Sequence, residues 1–201
     1  MVLIARHFAP PDECEAMRLG IDALIANGQA VVVLPGRVKR YSGRVDVYPT
    51  LRDVRSAVIP VITALRERII RSVKDHFLLE RELFAETTLF SVMDTGASVP
   101  LHADNERKQA AGWGPNHTSW CDFAAILYLG TCGVEFSGGE LVFPNKGITA
   151  VPETGTLVAF PCGHEFEHEV REVTTGRRQA IYVWMTFDAG RAEWPISQCA
   201  A

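Results

Sequence analysis

No run of apolar residues in this 201-residue chain reaches the roughly 18 needed to cross a bilayer as a helix. The opening residues, Met1-Val2-Leu3-Ile4-Ala5-Arg6-His7, lack the basic head, apolar core and cleavage site of a secretory leader, so the sequence predicts a cytoplasmic protein. Excess positive charge is missing as well. The net charge is −4 and the isoelectric point about 5.9, which argues against a nucleic-acid surface. The short basic cluster Arg37, Lys39, Arg40 reads as solvated surface. Cysteine is scarce and unpatterned: the five, at positions 14, 121, 132, 162 and 199, are odd in number and never form C-x-x-C. That spacing argues against a disulfide framework or a zinc finger and predicts reduced thiols. Internal repeats and low-complexity segments are absent too.

What is present is an apolar fraction of 47%, enough for one domain with a core of its own. Residues 11–27 start behind Pro10-Pro11-Asp12 and carry Met17, Leu19, Ile21, Leu24 and Ile25, a helical signal. Residues 53–79 repeat it more strongly, with Val54, Val58, Val61, Ile62, Leu65, Ile69 and Val73 on one stripe and Pro60 marking a start or a kink. From about residue 86 the periodicity shortens. Strands are predicted over 87–93, 99–103, 123–129, 139–143, 156–160, 167–173 and 179–187, with turns at Gly138-Gly139, Pro161-Cys162-Gly163 and Thr175-Gly176 among others. Many short strands imply a mainly β sandwich or barrel. Residues 1–86 read as a helical scaffold and 87–201 as the β core of what is one domain overall. The longest irregular stretch, 105–120, holds Trp113, His117 and Trp120, and long loops inside compact domains are often functional.

His102-Ala103-Asp104 ends a strand-like segment, where side chains two apart share a face. One imidazole and one carboxylate can therefore reach one metal. A second imidazole from another strand would complete a two-histidine, one-carboxylate facial triad, which leaves positions open for a cosubstrate and O2 and suits non-haem iron(II). Alone, H-x-D is a common pattern. Further on, His168 enters a strand and Arg178 opens the next, placed to face one cavity, and the arginine fork matches a carboxylate.

These blocks resemble a known family. Leu101-His102-Ala103-Asp104-Asn105, then Asp122-Phe123-Ala124-Ala125-Ile126-Leu127-Tyr128-Leu129, then Phe136-Ser137-Gly138-Gly139-Glu140-Leu141, then His168 and Val173-Thr174-Thr175-Gly176-Arg177-Arg178-Gln179-Ala180-Ile181 are similar, in that order, to the prolyl 4-hydroxylase-like 2-oxoglutarate oxygenases, and within them to the prolyl 3-hydroxylase (leprecan) branch. The similarity covers about 87–188, and residues 1–86 match loosely. It implies a double-stranded β-helix, or jelly roll, with N-terminal helices on one face. It implies a hydroxylase of an unactivated C–H bond, on proline or another amino acid, free, carrier-bound or in a peptide. The implied iron ligands are His102, Asp104 and His168, with 2-oxoglutarate and O2 as cosubstrates and ascorbate as a candidate accessory reductant. Arg178 would bind the distal carboxylate of 2-oxoglutarate, with Tyr128 beside it. Relatives often carry a tyrosine where this chain has Met93. With Asp104 present, hydroxylation is implied over halogenation.

His164-Glu165-Phe166-Glu167-His168 spells H-E-x-x-H, the zinc-hydrolase pattern. That motif works only on a helix, and Pro161 and Gly163 upstream with strand-like alternation downstream argue against one. Asn105, Trp113, His117, Trp120 and His164 are candidate substrate residues. Trp184 reads as core, Arg177 as surface, and His7 and His76 as incidental. The rival class is a jelly-roll binding domain without turnover.

Overall fold

The structure is a computed structural model and describes residues 1–26, 44–47 and 58–192. The basic cluster at 37–40, Val54 and Cys199 lie outside the described residues, as do the side chains of Leu24, Ile25, Val58, Pro60, Val61 and Ile62. The chain opens with β1 (Leu3–Ala5), α1 (Pro11–Ala26), β2 (Arg44–Val47), α2 (Val58–Phe77) and the long β3 (Phe84–Asp94). Then come β4 (Val99–His102), β5 (Glu106–Gln109), β6 (Gly112–Pro115), β7 (Phe123–Tyr128), β8 (Phe136–Gly138) and β9 (Leu141–Phe143). The last strands are β10 (Ile148–Ala150), β11 (Leu157–Pro161), β12 (His168–Val170) and β13 (Val173–Thr186).

The strands form two antiparallel sheets and a separate hairpin. The larger sheet runs β1-β11-β7-β13-β3-β2, with β8 on one end of β13; the smaller runs β10-β9-β12-β4. Period-two alternation decides what each face does. On β7, Ala124, Ile126 and Tyr128 point into the space between the sheets, with Val158 and Phe160 of β11 and Ala180 of β13. Leu141, Phe143, Val99 and Val170 of the smaller sheet meet them there. The alternate residues Ala125, Leu127, Ile181 and Val183 face the helices. This is the jelly roll, with both helices on the outer face of the larger sheet.

Each helix presents the stripe its sequence dictates. Cys14, Met17 and Ile21 of α1 and Leu65, Ile69 and Val73 of α2 are all at most 1% exposed, at three- and four-residue spacings. Leu19, expected on that stripe, is 63% exposed, because it falls on the opposite side of α1. Pro60 lies in the first turn of α2, where its missing N–H has no helical partner to lose. The N-terminal region, read as helical, also supplies two edge strands: β1 pairs with β11 and β2 with β3.

Two further local readings differ. The stretch 105–120, expected to be irregular, contains the β5–β6 hairpin. The turn predicted at Thr175-Gly176 lies inside β13, where the two residues pair with Ser137 and Phe136 just after a register shift between Val173 and Thr175. Gly176 sits at φ +76, and a Cβ there would lie 2.3 Å from the Glu135 carbonyl oxygen. Glycine is required by that close approach, not by a chain reversal. The break falls earlier, at Arg171 and Glu172, so predicted strand 167–173 divides between β12 and β13.

Ile69 is fully buried between α2 and the larger sheet. Ile69→Ala is expected to lower the free energy of unfolding by about 2–5 kcal/mol, the range for a large-to-small core substitution, read by urea denaturation.

Candidate metal and cosubstrate site

The site is built where the two sheets face each other. In the β12–β4 ladder His168 lies directly across from His102, and their rings are 4.4 Å apart. Asp104 follows two residues on, its carboxylate Oδ1 3.6 Å from His102 Nε2. One donor atom from each of His102, Asp104 and His168 lies within 4.8 Å of the other two, the only such group among the described residues. Both imidazoles are oriented by the backbone. His102 Nδ1 lies 2.9 Å from the Pro100 carbonyl oxygen and His168 Nδ1 3.0 Å from that of Phe166. A carbonyl only accepts, so each Nδ1 carries the hydrogen and each Nε2 keeps its lone pair. Two imidazole nitrogens and a carboxylate, fixed in this way, fit a divalent metal such as iron(II).

The environment sets the charges. Burial against Phe143 and Phe160 (ring separations 5.5 and 4.7 Å) pushes the His168 pKa down to about 4, against a weaker opposing pull from Asp104. Burial alone would raise the Asp104 pKa, but the facing His168 and His102 imidazoles bring it below the usual carboxylate value. The result is a neutral imidazole beside an ionised carboxylate, the protonation state metal binding requires. The backbone carbonyl of Asp104 accepts hydrogen bonds from Asn116 Nδ2 and the Thr118 hydroxyl. This pins the turn into the β5–β6 hairpin.

Arg178 is 0% exposed and opens the inward-facing row of β13. Its Nε donates to the Gly139 carbonyl at 3.1 Å, and Nη1 to the Tyr182 hydroxyl at 3.3 Å. Nη2 and the hydroxyl of fully buried Tyr128 have no hydrogen-bond partner, and the guanidinium lies 5.2 Å from the Tyr128 ring centre. Burial raises the Tyr128 pKa, so its hydroxyl stays a donor. A buried guanidinium with an unused N–H beside an unused O–H is costly unless an anion completes it. A carboxylate of 2-oxoglutarate has the charge and the acceptor count that fit. Gly139, read as a turn glycine, makes room: a Cβ there would lie 2.7 Å from Arg178 Cδ. Met93, opposite Arg178 in the ladder, places its sulfur 3.6 Å from Nη1.

The candidate substrate residues are scattered. Trp113 stacks on His164 at 5.2 Å and 15°, and Lys108 covers the indole at 5.2 Å. Glu106 holds this group together, accepting from the His164 backbone N–H at 2.7 Å and pairing with Nδ1 at 2.6 Å. Those two bonds keep its carboxyl below the ordinary value. Trp120 instead packs edge-on against Trp184, and His117 is exposed. Asn105 turns inward, Nδ2 donating to the Cys121 carbonyl at 2.8 Å. His164–Phe166 is a single 3-10 turn and His168 belongs to a strand, so H-E-x-x-H lacks the helix a zinc hydrolase needs. Sequence reasoning missed Asn116, Thr118 and Tyr182. Of these, Tyr182 was findable, since it lies four residues after Arg178 on the same strand face.

Comparison with known proteins agrees with this geometry. Residues 88–186 match the 2OG-Fe(II) oxygenase superfamily. The chain belongs to that superfamily. It is 30% identical to human prolyl 3-hydroxylase 2 over 179 residues, covering 80% of this chain and 23% of that protein. Against human prolyl 3-hydroxylase 1 it is 30% identical, over 74% of this chain and 23% of that protein. The chain thus spans less than a quarter of the length of these curated relatives. Among solved structures, a Pseudomonas putida prolyl-4-hydroxylase aligns with TM-score 0.66 and 20% identity, covering 92% of this chain and 91% of that one. A Trichoplax adhaerens prolyl hydroxylase, solved with a hypoxia inducible factor peptide fragment, aligns with TM-score 0.72 and 15% identity, over 94% and 85%. At those identities the structural likeness establishes the jelly-roll fold. Membership of that superfamily implies iron(II), 2-oxoglutarate and O2 as the reacting set.

The buried neutral His168 predicts a pH dependence. The unfolded chain takes up a proton at His168 near pH 6.5, the folded chain only near 4. Between these values the unfolded state binds more protons, so stability rises with pH: the contribution is complete above about 6.5 and lost on acidification towards 4. The metal-free protein is expected to lose on the order of 3 kcal/mol by this route across that window, and His168→Gln to lose less. Urea unfolding in chelator at pH 7.5 and pH 5 compares the two.

Proposed function

We propose that this chain is a non-haem iron(II), 2-oxoglutarate-dependent dioxygenase that hydroxylates an unactivated C–H bond of proline or another amino acid. The observation that carries the reading is the pairing of a His102–Asp104–His168 donor set with the buried, incompletely satisfied Arg178–Tyr128 pair. His102, Asp104 and His168 would hold iron(II) through Nε2, a carboxylate oxygen and Nε2. Arg178 Nη2 and the Tyr128 hydroxyl would hold the distal carboxylate of 2-oxoglutarate, with Tyr182 keeping the guanidinium in plane. Iron(II), 2-oxoglutarate and O2 together supply the oxidising power that breaks the C–H bond. The protein's own part is orientation and exclusion of water. The carbonyl bonds from Pro100 and Phe166 fix both imidazoles, Phe143 and Phe160 close the inner side, and Gly139 gives Arg178 its position.

His102, with 37% of its side chain exposed, marks the open side of the centre, where a substrate would approach. The stacked Trp113–His164 pair, stapled by Glu106, rims that approach and offers an aromatic edge to a pyrrolidine ring. The prolyl 3-hydroxylase relatives and the peptide-bound neighbour support a prolyl residue in a peptide as the substrate; a small amino-acid-like molecule is the other class such a rim would take. Five cysteines, odd in number and without C-x-x-C spacing, support a reducing, cytoplasmic setting. Residues 1–86 and 87–201 act as one unit in this reading.

Succinate formation from 2-oxoglutarate, measured under air with added iron(II), tests it. Wild type should turn over slowly unaided and faster with a prolyl peptide, whose mass rises by one oxygen. His102→Ala should fall below detection. Arg178→Ala should raise the 2-oxoglutarate requirement about 10–100-fold, the worth of one charge-assisted hydrogen bond. Absence of iron-dependent turnover and of 2-oxoglutarate binding in wild type would overturn the proposal in favour of a non-catalytic binding domain.

A further inference from the structure

Ser91 and Thr156 carry buried hydroxyls that no hydrogen bond satisfies, and the proposed reaction uses neither. Ser91 is 0% exposed and sits well inside β3. Its neighbours Phe90 and Val92 pack on the helix side, so alternation turns Ser91 into the space between the sheets. Register then places it. In the β13–β3 ladder Ser91 lies opposite Ala180, and in the β13–β7 ladder Ala180 lies opposite Tyr128. Ala180 thus stands between the serine and the tyrosine, and residues opposite one another in antiparallel strands have Cβ atoms roughly 4.5–5.5 Å apart. The guanidinium comes to the same place. Nη1 of Arg178 reaches the hydroxyl of Tyr182, further along the same face of β13, at 3.3 Å, so the side chain leans across Ala180, which lies between them. The same Nη1 is 3.6 Å from the sulfur of Met93, the next residue after Ser91 on that face of β3, and the Tyr128 ring centre is 5.2 Å from the guanidinium. Tyr128 therefore flanks the guanidinium from the β7 side and Ser91 from the β3 side. Thr156 lies beyond Tyr128, its carbonyl accepting the Tyr128 N–H, one strand further from the arginine.

We propose that Ser91 is a third donor to the distal carboxylate of 2-oxoglutarate, closing with Arg178 Nη2 and the Tyr128 hydroxyl a pocket above the small Ala180. The inference rests on the reading of Arg178 and Tyr128 as the carboxylate site of the cosubstrate. All three side chains are 0% exposed, and each has a polar atom without a partner, an arrangement that costs free energy in the empty protein. An apolar group in the pocket would leave all three unmatched. An ionised carboxylate offers about four lone-pair sites and donates nothing, so a single such group satisfies the guanidinium and both hydroxyls.

The experiment compares the full chain with Ser91→Ala by calorimetric titration, both loaded with manganese(II) in place of iron so that no turnover intervenes. 2-Oxoglutarate should bind Ser91→Ala about 10-fold more weakly than wild type, the loss of one hydrogen bond to a charged group. 2-Oxobutyrate, which keeps the keto acid but has no distal carboxylate, should bind both proteins alike. Thermal unfolding of the metal-free protein supplies a second readout. There Ser91→Ala should melt no lower than wild type, because it removes a buried hydroxyl that is unpaired while the site is empty. Ser91→Cys, which keeps the volume and leaves only a weak donor, carries the same expectations and covers a failure of the alanine variant to fold. Unchanged 2-oxoglutarate affinity would overturn the inference and leave the oxygenase reading intact. So would equal weakening of both keto acids, or a lower melting temperature without ligand, since either assigns the serine to packing. Wild type that takes up manganese but no 2-oxoglutarate overturns the cosubstrate reading itself, and the inference with it.

Discussion

In the β12–β4 ladder, His168 stands directly across from His102, and the remainder of the site follows from that register. Slipping the ladder by one residue would turn one imidazole out of the sandwich, because successive side chains point to opposite faces. Asp104 can join only if the chain leaves β4 within two residues and stays close. The Asn116 and Thr118 side chains hold the Asp104 carbonyl, and the β5–β6 hairpin carries the chain away. Register, strand end and loop network thus act as one constraint with three parts.

Electrostatics explains why this constraint is placed inside the protein. A buried Arg178 with an unused Nη2 is a burden in the ligand-free interior. It costs folding free energy unless an anion completes it. The triad, by contrast, holds the protonation state that suits a cation: a neutral imidazole and an ionised carboxylate. The two places thus suit groups of opposite charge, a cation at the triad and an anion at the guanidinium. The apolar contacts behind the sheet offset the cost: Leu65, Ile69 and Val73 of α2 against Leu127, Ile181 and Val183 of the larger sheet. The helices are distant from the chemistry but supply part of the stability that allows two charged groups to remain buried.

Legibility in the sequence followed physical range. Phe123–Tyr128 is apolar at every position, so a buried strand could be read there, but which residues face which side could not. His102 and Asp104, two apart on a strand end, carried their geometry in their spacing, and Arg178 could be read against His168 because both border turns. Leu3–Ala5 is too short to show a period and becomes a strand only because β11 offers it an edge. Glu106–Gln109 is polar at every position, so no alternation announces a hairpin; Glu106 finds its role through His164, 58 residues away. Gly139 reads as a turn until the arginine packed against it is seen. Cys121 and Cys162 are 41 residues apart with no spacing rule to join them, and only the closing of β11 onto β7 does so.

That last pairing shows how the larger sheet reaches the metal. Pro161 faces Phe123 at the end of the β11–β7 ladder, so the next residue on one strand and the residues before the other must lie side by side. Cys162, Asp122 and Cys121 meet there. The β11–β7 edge of the larger sheet therefore holds Asn105, the residue after Asp104, from one direction while β4 and β12 of the smaller sheet carry the histidines from another. A carboxylate held between two sheets has its position fixed by how they pack. A substitution in the interior between them, such as at Ile126 or Val158, acts on the spacing of His102, Asp104 and His168 through packing, because close-packed interiors transmit small displacements. The hairpin is different in kind. Its Trp113–His164 contact is stapled by the single Glu106 carboxylate, so changes there act on the hairpin and leave the ladder that carries the histidines in place.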